Sequence, residues 1–556
     1  MMKTPVVAIG LDAAPPDVLD IWMDRGYLRN IAQLREKGTS GRLENFSAFS
    51  AETPWTTFAT GCRPQKTGYW SPLRFNSGSY GMQTRAAYEY EEFPPFYALG
   101  EDYRVAAFDI PQVRLNRNIN GVQVAAWGAH SPQVPSGSLP EGLFQELVRT
   151  HGAHPGLHKD YSVCLDLKTT DRLRSVLKTG IARRSSICQE ILQQEPWDLF
   201  MTVFGEAHSA GHNFWQLSQP DHPLYEAFKS RVSVDPMLEC FQAIDHAIGE
   251  ILSKAPSDAR VLIFSAHGMG PNTMDIPSTT ILPEFLYRLN FPGQALLFGR
   301  DDASAELGPP LPRMENNFWE RHVWGTKGDT DRLRTFLRRR TPNKLYKFVE
   351  GLVDPEREGE MISPFRLEKK TRVVPFQPAA WYAPLWPKMK AFALPSFAEG
   401  YVRINVRGRE PNGLVAQADY DSYCEELIAK IRRMKDARTG IPMAQEIIRV
   451  RQSAMENNPR LPDADIVIVW QEEYASDSVE SPDVGRIGPV PHYRSGSHRP
   501  EGFFIASGPG IEPSRAMSGN HALDISPTIL SLMGAPIPDY LEGEAIALLK
   551  SEAAVG

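Results

Sequence analysis

Sulfur, long apolar runs and concentrated charge are all scarce in this 556-residue chain, and each scarcity removes a class of function. The five cysteines (Cys62, Cys164, Cys188, Cys240 and Cys424) are scattered, odd in number and without CxxC spacing. That excludes a disulfide scaffold and a cysteine zinc site, and leaves reduced structural thiols. No apolar stretch reaches 18 residues, so no spanning helix is expected, and Met1 to Gly10 lacks the regions of a secretory signal. The expected compartment is the cytoplasm, with no membrane partner. The net charge is -7 with both signs interspersed and no long basic run, so no nucleic-acid partner is expected either. Internal repeats and low-complexity tracts are also missing.

What is present is the grammar of an α/β protein. Val6 to Leu11 is a continuous apolar run ending in Asp12, the pattern of a buried parallel strand. Similar runs occupy Tyr103 to Ile110, Asp198 to Phe204, Arg260 to Ser265 and Gly502 to Ser507. Helical spacing lies between them, as in Pro236 to Lys254 with Met237, Phe241, Ile244, Ile248 and Ile251. The alternation predicts a doubly wound, mostly parallel central sheet with helices on both faces. Residues 272–460 break it: they are rich in proline, aromatic and basic side chains, and they read as a large inserted lobe that shapes a substrate pocket. A helix from Asp419 to Met434 restores order in its second half. The expected division is therefore a core of 1–271 and 461–556 with a lobe of 272–460.

Ligands of such sheets collect beyond the carboxyl ends of the strands, and metal-ligand chemistry is concentrated there. His208 and His212 stand four apart directly after one strand, a spacing that puts both imidazoles on one helical face. His267 follows another strand in SAHGMG, His498 precedes a fourth in SGSHRPEG, and Asp12 ends the first. Each taken singly has a bland reading: Asp12 as a turn cap, the histidines as chance neighbours. Their convergence on strand ends predicts one metal centre built from Asp12, His208, His212, His267 and His498. Glu206, two residues before His208, reads as a further ligand, a general base, or a partner that orients a ligand histidine.

Thr53-Pro54 has the form of a helix start, and two readings share that geometry. Either Thr53 only caps the helix, or its hydroxyl is a nucleophile at an anion-attracting helix terminus. Trp55, Trp70 and Trp215 read as core packing. His151, His154 and His158 read as surface residues, and His521 with Asp524 as a structural sheet-to-helix connection.

The series GLDAAPPDVL, PWTTFATGCRPQKTG, FGEAHSAGHNFW, SAHGMG, INVRGREPNGLV and SHRPEGFFIASGPGI…HALDISPTIL resembles the alkaline phosphatase superfamily. Within it, the predicted phosphohydrolase and phosphomutase branch, itself similar to type I phosphodiesterase/nucleotide pyrophosphatases, carries these motifs in this order. The resemblance runs from about Val6 to Glu544 and is weakest over Asn272 to Lys390. It implies two metal ions, usually zinc, flanking a Ser or Thr nucleophile that is transiently esterified. Asp12 and His267 match the second metal site, and His212 and His498 match the first. Arg409, in the glycine-arginine-glutamate-proline motif, is implied as a contact to a substrate anion, with a structural salt bridge as its other reading.

Three positions depart from that pattern. His208 replaces the first-site aspartate, Ala266 the second-site aspartate, and Ala51 the nucleophile, with Ser50 and Thr53 the nearest hydroxyls. Two outcomes follow. One is a mononuclear site of His208, His212 and His498 with an open fourth position; the other is a shifted second site using Asp12, His267 and Glu206, with Thr53 attacking. The sequence favours the first for metal count, with zinc as the metal and manganese as the alternative. The expected activity is hydrolysis of phosphate or sulfate esters on a small anionic substrate. The alternatives are a repurposed three-histidine enzyme of group transfer or lyase chemistry, and a non-catalytic relative that binds an anion. Oligomeric state is not legible in the sequence.

Overall fold

The computed structural model describes residues 3–49, 51–128, 134–157, 167–299, 306–312, 319–328, 331–371 and 373–550. Ser50, His158 and Cys164 lie outside them. Val6–Leu11 forms the expected strand and is buried along its whole length. It pairs in parallel with Leu199–Phe204 on one side and Arg260–Ser265 on the other, which makes it the centre of the sheet. Among the described residues this sheet has nine strands. Outward on one side they are Leu199–Phe204, Gly100–Phe108, Ile119–Ala125 and Gly137–Leu139; on the other, Arg260–Ser265, Gly502–Ser507, Thr39–Glu44 and Arg515–His521. Gly502–Ser507 runs antiparallel to both its neighbours, so the sheet is mixed but mostly parallel.

Alternation within the central strand divides the core in two. Val7, Ile9 and Leu11 face a cluster holding Phe214 and Trp215 of helix Glu206–Ser218 and Phe241, Ile244 and Ile248 of helix Pro236–Leu252. Val6 and Ala8 face the other cluster, with Trp55 and Phe58 of helix Pro54–Thr60 and Ile529 of helix Ile525–Met533. Helices therefore cover both faces, the arrangement that lets a parallel strand be apolar throughout. His521 and Asp524 form a capping box leading into the last of these helices.

The remaining chain folds around a separate core. Up to Lys388 the described part of the lobe is helical. It then builds a four-stranded antiparallel sheet in the order Ala391–Leu394, Gly400–Ile404, Ile466–Trp470, Ala444–Arg449. The lobe boundary expected at 460 is corrected by this topology. Ile466–Trp470 is the interior partner of two lobe strands, and its five residues are all buried. The chain returns to the central fold at Gly496–Arg499, which pairs with Gly268–Pro271.

Candidate metal centre

The site stands where the topology sends it. Leu11, Phe204 and Ser265 end three adjacent parallel strands, so Asp12, the start of helix Glu206–Ser218 and His267 emerge at one edge of the sheet. Because Gly502–Ser507 is antiparallel, the segment that precedes it, with His498, arrives at that same edge. Ser265 stitches the loops together, its hydroxyl 2.5 Å from the Leu11 carbonyl oxygen, 2.7 Å from that of His267 and 3.1 Å from the Ala14 amide.

His208 and His212 are one helical turn apart, and Gly496–Arg499 lies against that turn. The approach depends on glycine. A β-carbon at Gly496 would sit 2.3 Å from the Gly211 carbonyl oxygen, well inside contact distance. The result is a convergence of three imidazoles: His212 Nε2 lies 3.1 Å from His208 Nε2 and 3.1 Å from His498 Nε2. His212 Nδ1 is 2.6 Å from the Gly496 carbonyl oxygen, which accepts only an N–H. That hydrogen bond fixes the tautomer and leaves the lone pair of a neutral His212 on Nε2. Three ring nitrogens within 4.8 Å of one another form a donor set for a divalent cation and fit the metal that nitrogen ligands select. His212 and His498 are buried and His208 is half-buried, so the set opens on the His208 side.

Asp12 and His267 sit beside it. The His267 ring is 4.8 Å from the His498 ring, and its Nε2 is 3.6 Å from Asp12 Oδ1. Neither ring nitrogen of His267 has a hydrogen-bond partner, and burial pulls its pKa down to about 3, which keeps the imidazole neutral. Asp12 accepts a hydrogen bond of 2.9 Å from the Trp55 indole, whose ring also packs edge-on to His267. The sequence reads Trp55 as core, and its place in the first turn of a helix packed on the central strand is what brings its indole to Asp12.

Thr53 precedes helix Pro54–Thr60 as expected, but its hydroxyl does not cap it. Oγ1 instead donates 3.0 Å back to the Phe49 carbonyl oxygen.

Three expectations are corrected here. Glu206 neither joins the histidines nor stands free as a base. Its carboxylate is wholly buried, 3.2 Å from Arg184 Nε and 3.1 Å from His154 Nε2, while Arg184 Nη2 bonds Asp109 at 2.7 Å. Burial alone would raise the Glu206 carboxyl, but the Arg184 guanidinium and His154 outweigh it and hold the group down to about 2. His154 is accordingly no surface residue; it is 3% exposed, and its ring packs edge-on to Trp127. His151 is paired with Glu190 nearby. Arg409 is committed to its own lobe. Nη1 and Nη2 bond the two oxygens of Asp465 at 2.7 and 2.9 Å, and Nε bonds Glu410 at 3.0 Å. A guanidinium so occupied has no fork left for a substrate anion.

Among curated proteins none matches the chain. Solved structures that resemble it include phosphonoacetate hydrolase from Sinorhizobium meliloti 1021 in complex with phosphonoformate (12% identity, 96% of each chain, TM-score 0.42). Murine ectonucleotide pyrophosphatase/phosphodiesterase 5, in an inactive form with AMP, gives 11% identity over 96% of each chain and a TM-score of 0.46. The human form gives 11% identity over 99% of this chain and 100% of that one, with a TM-score of 0.46. Residues 6–310 match the model of the type I phosphodiesterase/nucleotide pyrophosphatase family. The protein thus belongs to the type I phosphodiesterase/nucleotide pyrophosphatase family and is a hydrolytic enzyme.

Proposed function

We propose that this chain hydrolyses phosphate esters of a small anionic substrate with one divalent ion, zinc before manganese, held by His208, His212 and His498. The observation that carries the reading is the convergence of three Nε2 atoms, with His212 locked in its ligating tautomer by Gly496. When bound, the ion supplies Lewis-acid polarisation of a phosphoryl oxygen and makes water more acidic. The chain's own residues do the rest. The half-buried His208 marks the mouth through which substrate enters, and the buried His212 and His498 hold the donor set against a dry wall. Neutral His267 and the Trp55-bonded Asp12 line the adjoining floor.

Water is the attacking group in this reading. Ala51 has no hydroxyl, and the hydroxyl of Thr53 spends its proton on the Phe49 carbonyl. A second reading, with a further ion between Asp12 and His267 and Thr53 attacking, is favoured by one observation, the two unpartnered ring nitrogens of His267. Sulfate esters are the alternative substrate class, and the expected cytoplasmic location goes with the proposal.

Metal content per chain, measured beside aryl phosphate turnover, decides between them. One ion, lost in His212→Ala, with phosphate released at an unchanged rate by Thr53→Ala, is the expected result. Two ions with Thr53→Ala inactive supports the second reading. One ion with no release from any phosphate or sulfate ester overturns ester hydrolysis and favours group transfer or lyase chemistry at the same centre.

A further inference from the structure

Between Asp331 and Asp354 the lobe carries a helical hairpin unlike the rest of the surface. Helix Arg332–Arg340 (RLRTFLRRR) is joined by Thr341 and Pro342 to helix Asn343–Val353 (NKLYKFVEGLV). Of the fifteen large hydrophobic side chains exposed among the described residues, six are here: Leu333, Phe336, Leu337, Leu345, Phe348 and Leu352. Phe348 is 87% exposed and Leu352 81%, values at which an apolar side chain has no neighbour to pack on.

The spacing is regular. Leu333, Phe336 and Leu337 stand at i, i+3 and i+4, and Leu345, Phe348 and Leu352 at i, i+3 and i+7, so each set forms one stripe on its helix. The opposite faces are anchored to a common point. Arg338 Nε bonds Asp354 Oδ1 at 2.9 Å, Tyr346 bonds the same carboxylate, and Trp324 donates to it at 3.0 Å. Both helices thus turn inward at Asp354, and both apolar stripes face away from the body.

Charge distinguishes this face from an ordinary apolar patch. The segment from 331 to 354 holds seven basic and three acidic residues in a chain whose net charge is -7. Two of those acids, Glu350 and Asp354, are buried and bonded inward to Ser363 and Arg338. Arg339, Arg340 and Lys347 are exposed beside the apolar stripes, Arg339 with its Nε donating to the Gly325 carbonyl oxygen at 3.1 Å and Lys347 with its Nζ 3.9 Å from Glu368. Leucine and phenylalanine on one face with arginine and lysine at its margins is the composition of a helix that lies in a membrane interface. A second copy of the same face would set like charges together, and a phosphate backbone has no use for six aliphatic and aromatic side chains.

We infer that this hairpin docks the protein on an anionic lipid surface, its Leu and Phe side chains entering the acyl boundary and its Arg and Lys side chains meeting the headgroups. The hairpin rests on that surface and does not cross it; among the described residues no helix is long and apolar enough to span a membrane. The sequence expectation of no membrane partner rested on the lack of a spanning run, and this inference departs from it for this face.

Sedimentation of the full-length, metal-loaded protein with vesicles tests the inference. The expected result is binding to phosphatidylcholine vesicles carrying about a third phosphatidylglycerol, weak binding to phosphatidylcholine alone, and release at high salt. Phe348→Glu with Leu352→Glu abolishes binding while metal content stays at the parent value, since both side chains are solvent-facing. Arg339→Ala and Arg340→Ala each weaken it about fivefold, the loss expected from one basic side chain near an anionic surface. Failure of the parent to bind anionic vesicles, or equal binding by the double glutamate variant, overturns the inference. A concentration-dependent dimer that Phe348→Glu dissociates, without vesicle binding, overturns it in favour of a self-interface.

Discussion

Replacing Arg184 by methionine tests whether the helix that carries His208 and His212 is anchored from beneath. Arg184 is wholly buried in helix Leu167–Gln194 and bridges Asp109 at 2.7 Å and Glu206 at 3.2 Å. Methionine fills much of the same volume but leaves two buried carboxylates without their cation. Removing one partner from such a pair costs about 3–5 kcal/mol. Compensation is incomplete: Asp109 keeps the Trp127 amide at 2.8 Å, and Glu206 keeps His154 at 3.1 Å. A loss of about 3 kcal/mol, the lower end of that range, is therefore expected in denaturant unfolding of the metal-free protein. Arg184→Lys falls between, because one ammonium cannot reach both acids in the guanidinium's fork. The double variant Arg184→Met with Glu206→Gln recovers part of the loss by removing one stranded charge. Glu206 is also the first residue of the helix that carries His208 and His212. Freeing its carboxylate loosens that turn, and competition with a chromophoric chelator should give metal affinity lower by about 10–100-fold, the usual effect of losing a residue that orients ligands. A stability loss below about 1 kcal/mol would refute the energetics. A full loss with unchanged metal affinity would refute the coupling to the site.

Other perturbations probe the surroundings. Burial, with the Glu399 charge behind it, raises the Glu52 carboxyl from 4.5 to about 8. Between those values the folded state binds the extra proton, so stability falls as pH rises, by about 1.4 kcal/mol per pH unit. Glu52→Gln should flatten that slope between mildly acidic and neutral pH, and an unchanged slope would show that another group is responsible. Trp55→Phe keeps the ring against His267 but removes the donor to Asp12, at an expected cost of about 1–3 kcal/mol in unfolding experiments; no measurable cost would mean that the hydrogen bond is dispensable. Gly496→Ala forces the His498 strand off the Gly211 carbonyl, and elemental analysis should find the metal lost from an otherwise folded protein.

The strands were readable because burial on both faces makes a parallel strand one apolar run, and the histidines were readable because they sit where those runs stop. Val6–Leu11, Arg260–Ser265 and Gly502–Ser507 begin and end where the composition indicates. Partners distant in sequence were not readable. Glu206 stands two residues from His208, and on a helix that separation turns the side chains to nearly opposite sides. The nearness that made Glu206 look like a ligand is what aims it inward, at an arginine 22 residues earlier. His154 is buried by the same cluster, from a loop with no apolar signal of its own. Arg409 matched a motif, but Asp465, which occupies its fork, lies 56 residues later at the start of a lobe strand.

The departures at Ala51 and Ala266 acquire a physical meaning from Asp12. A carboxylate that is 2% exposed must have its charge met by something. Where a second ion and a further acid would share that position, this chain supplies the Trp55 indole N–H at 2.9 Å and sets His267 Nε2 at 3.6 Å. The indole donor lowers the cost of burying Asp12 without any cation, and Ala266 avoids adding a second negative charge beside it. In the three-histidine set, three ring nitrogens are brought close together, with His212 barred by Gly496 from donating through Nε2, and a shared cation suits that donor set. The donor chemistry therefore gives the first position the stronger demand for metal and the second a weaker one. Under limiting zinc the first ion bound should be the one that His212→Ala removes, with Asp12→Asn leaving it in place. An ion lost equally in both variants would mean that Asp12 is a ligand of the first ion, and that the two positions are one site.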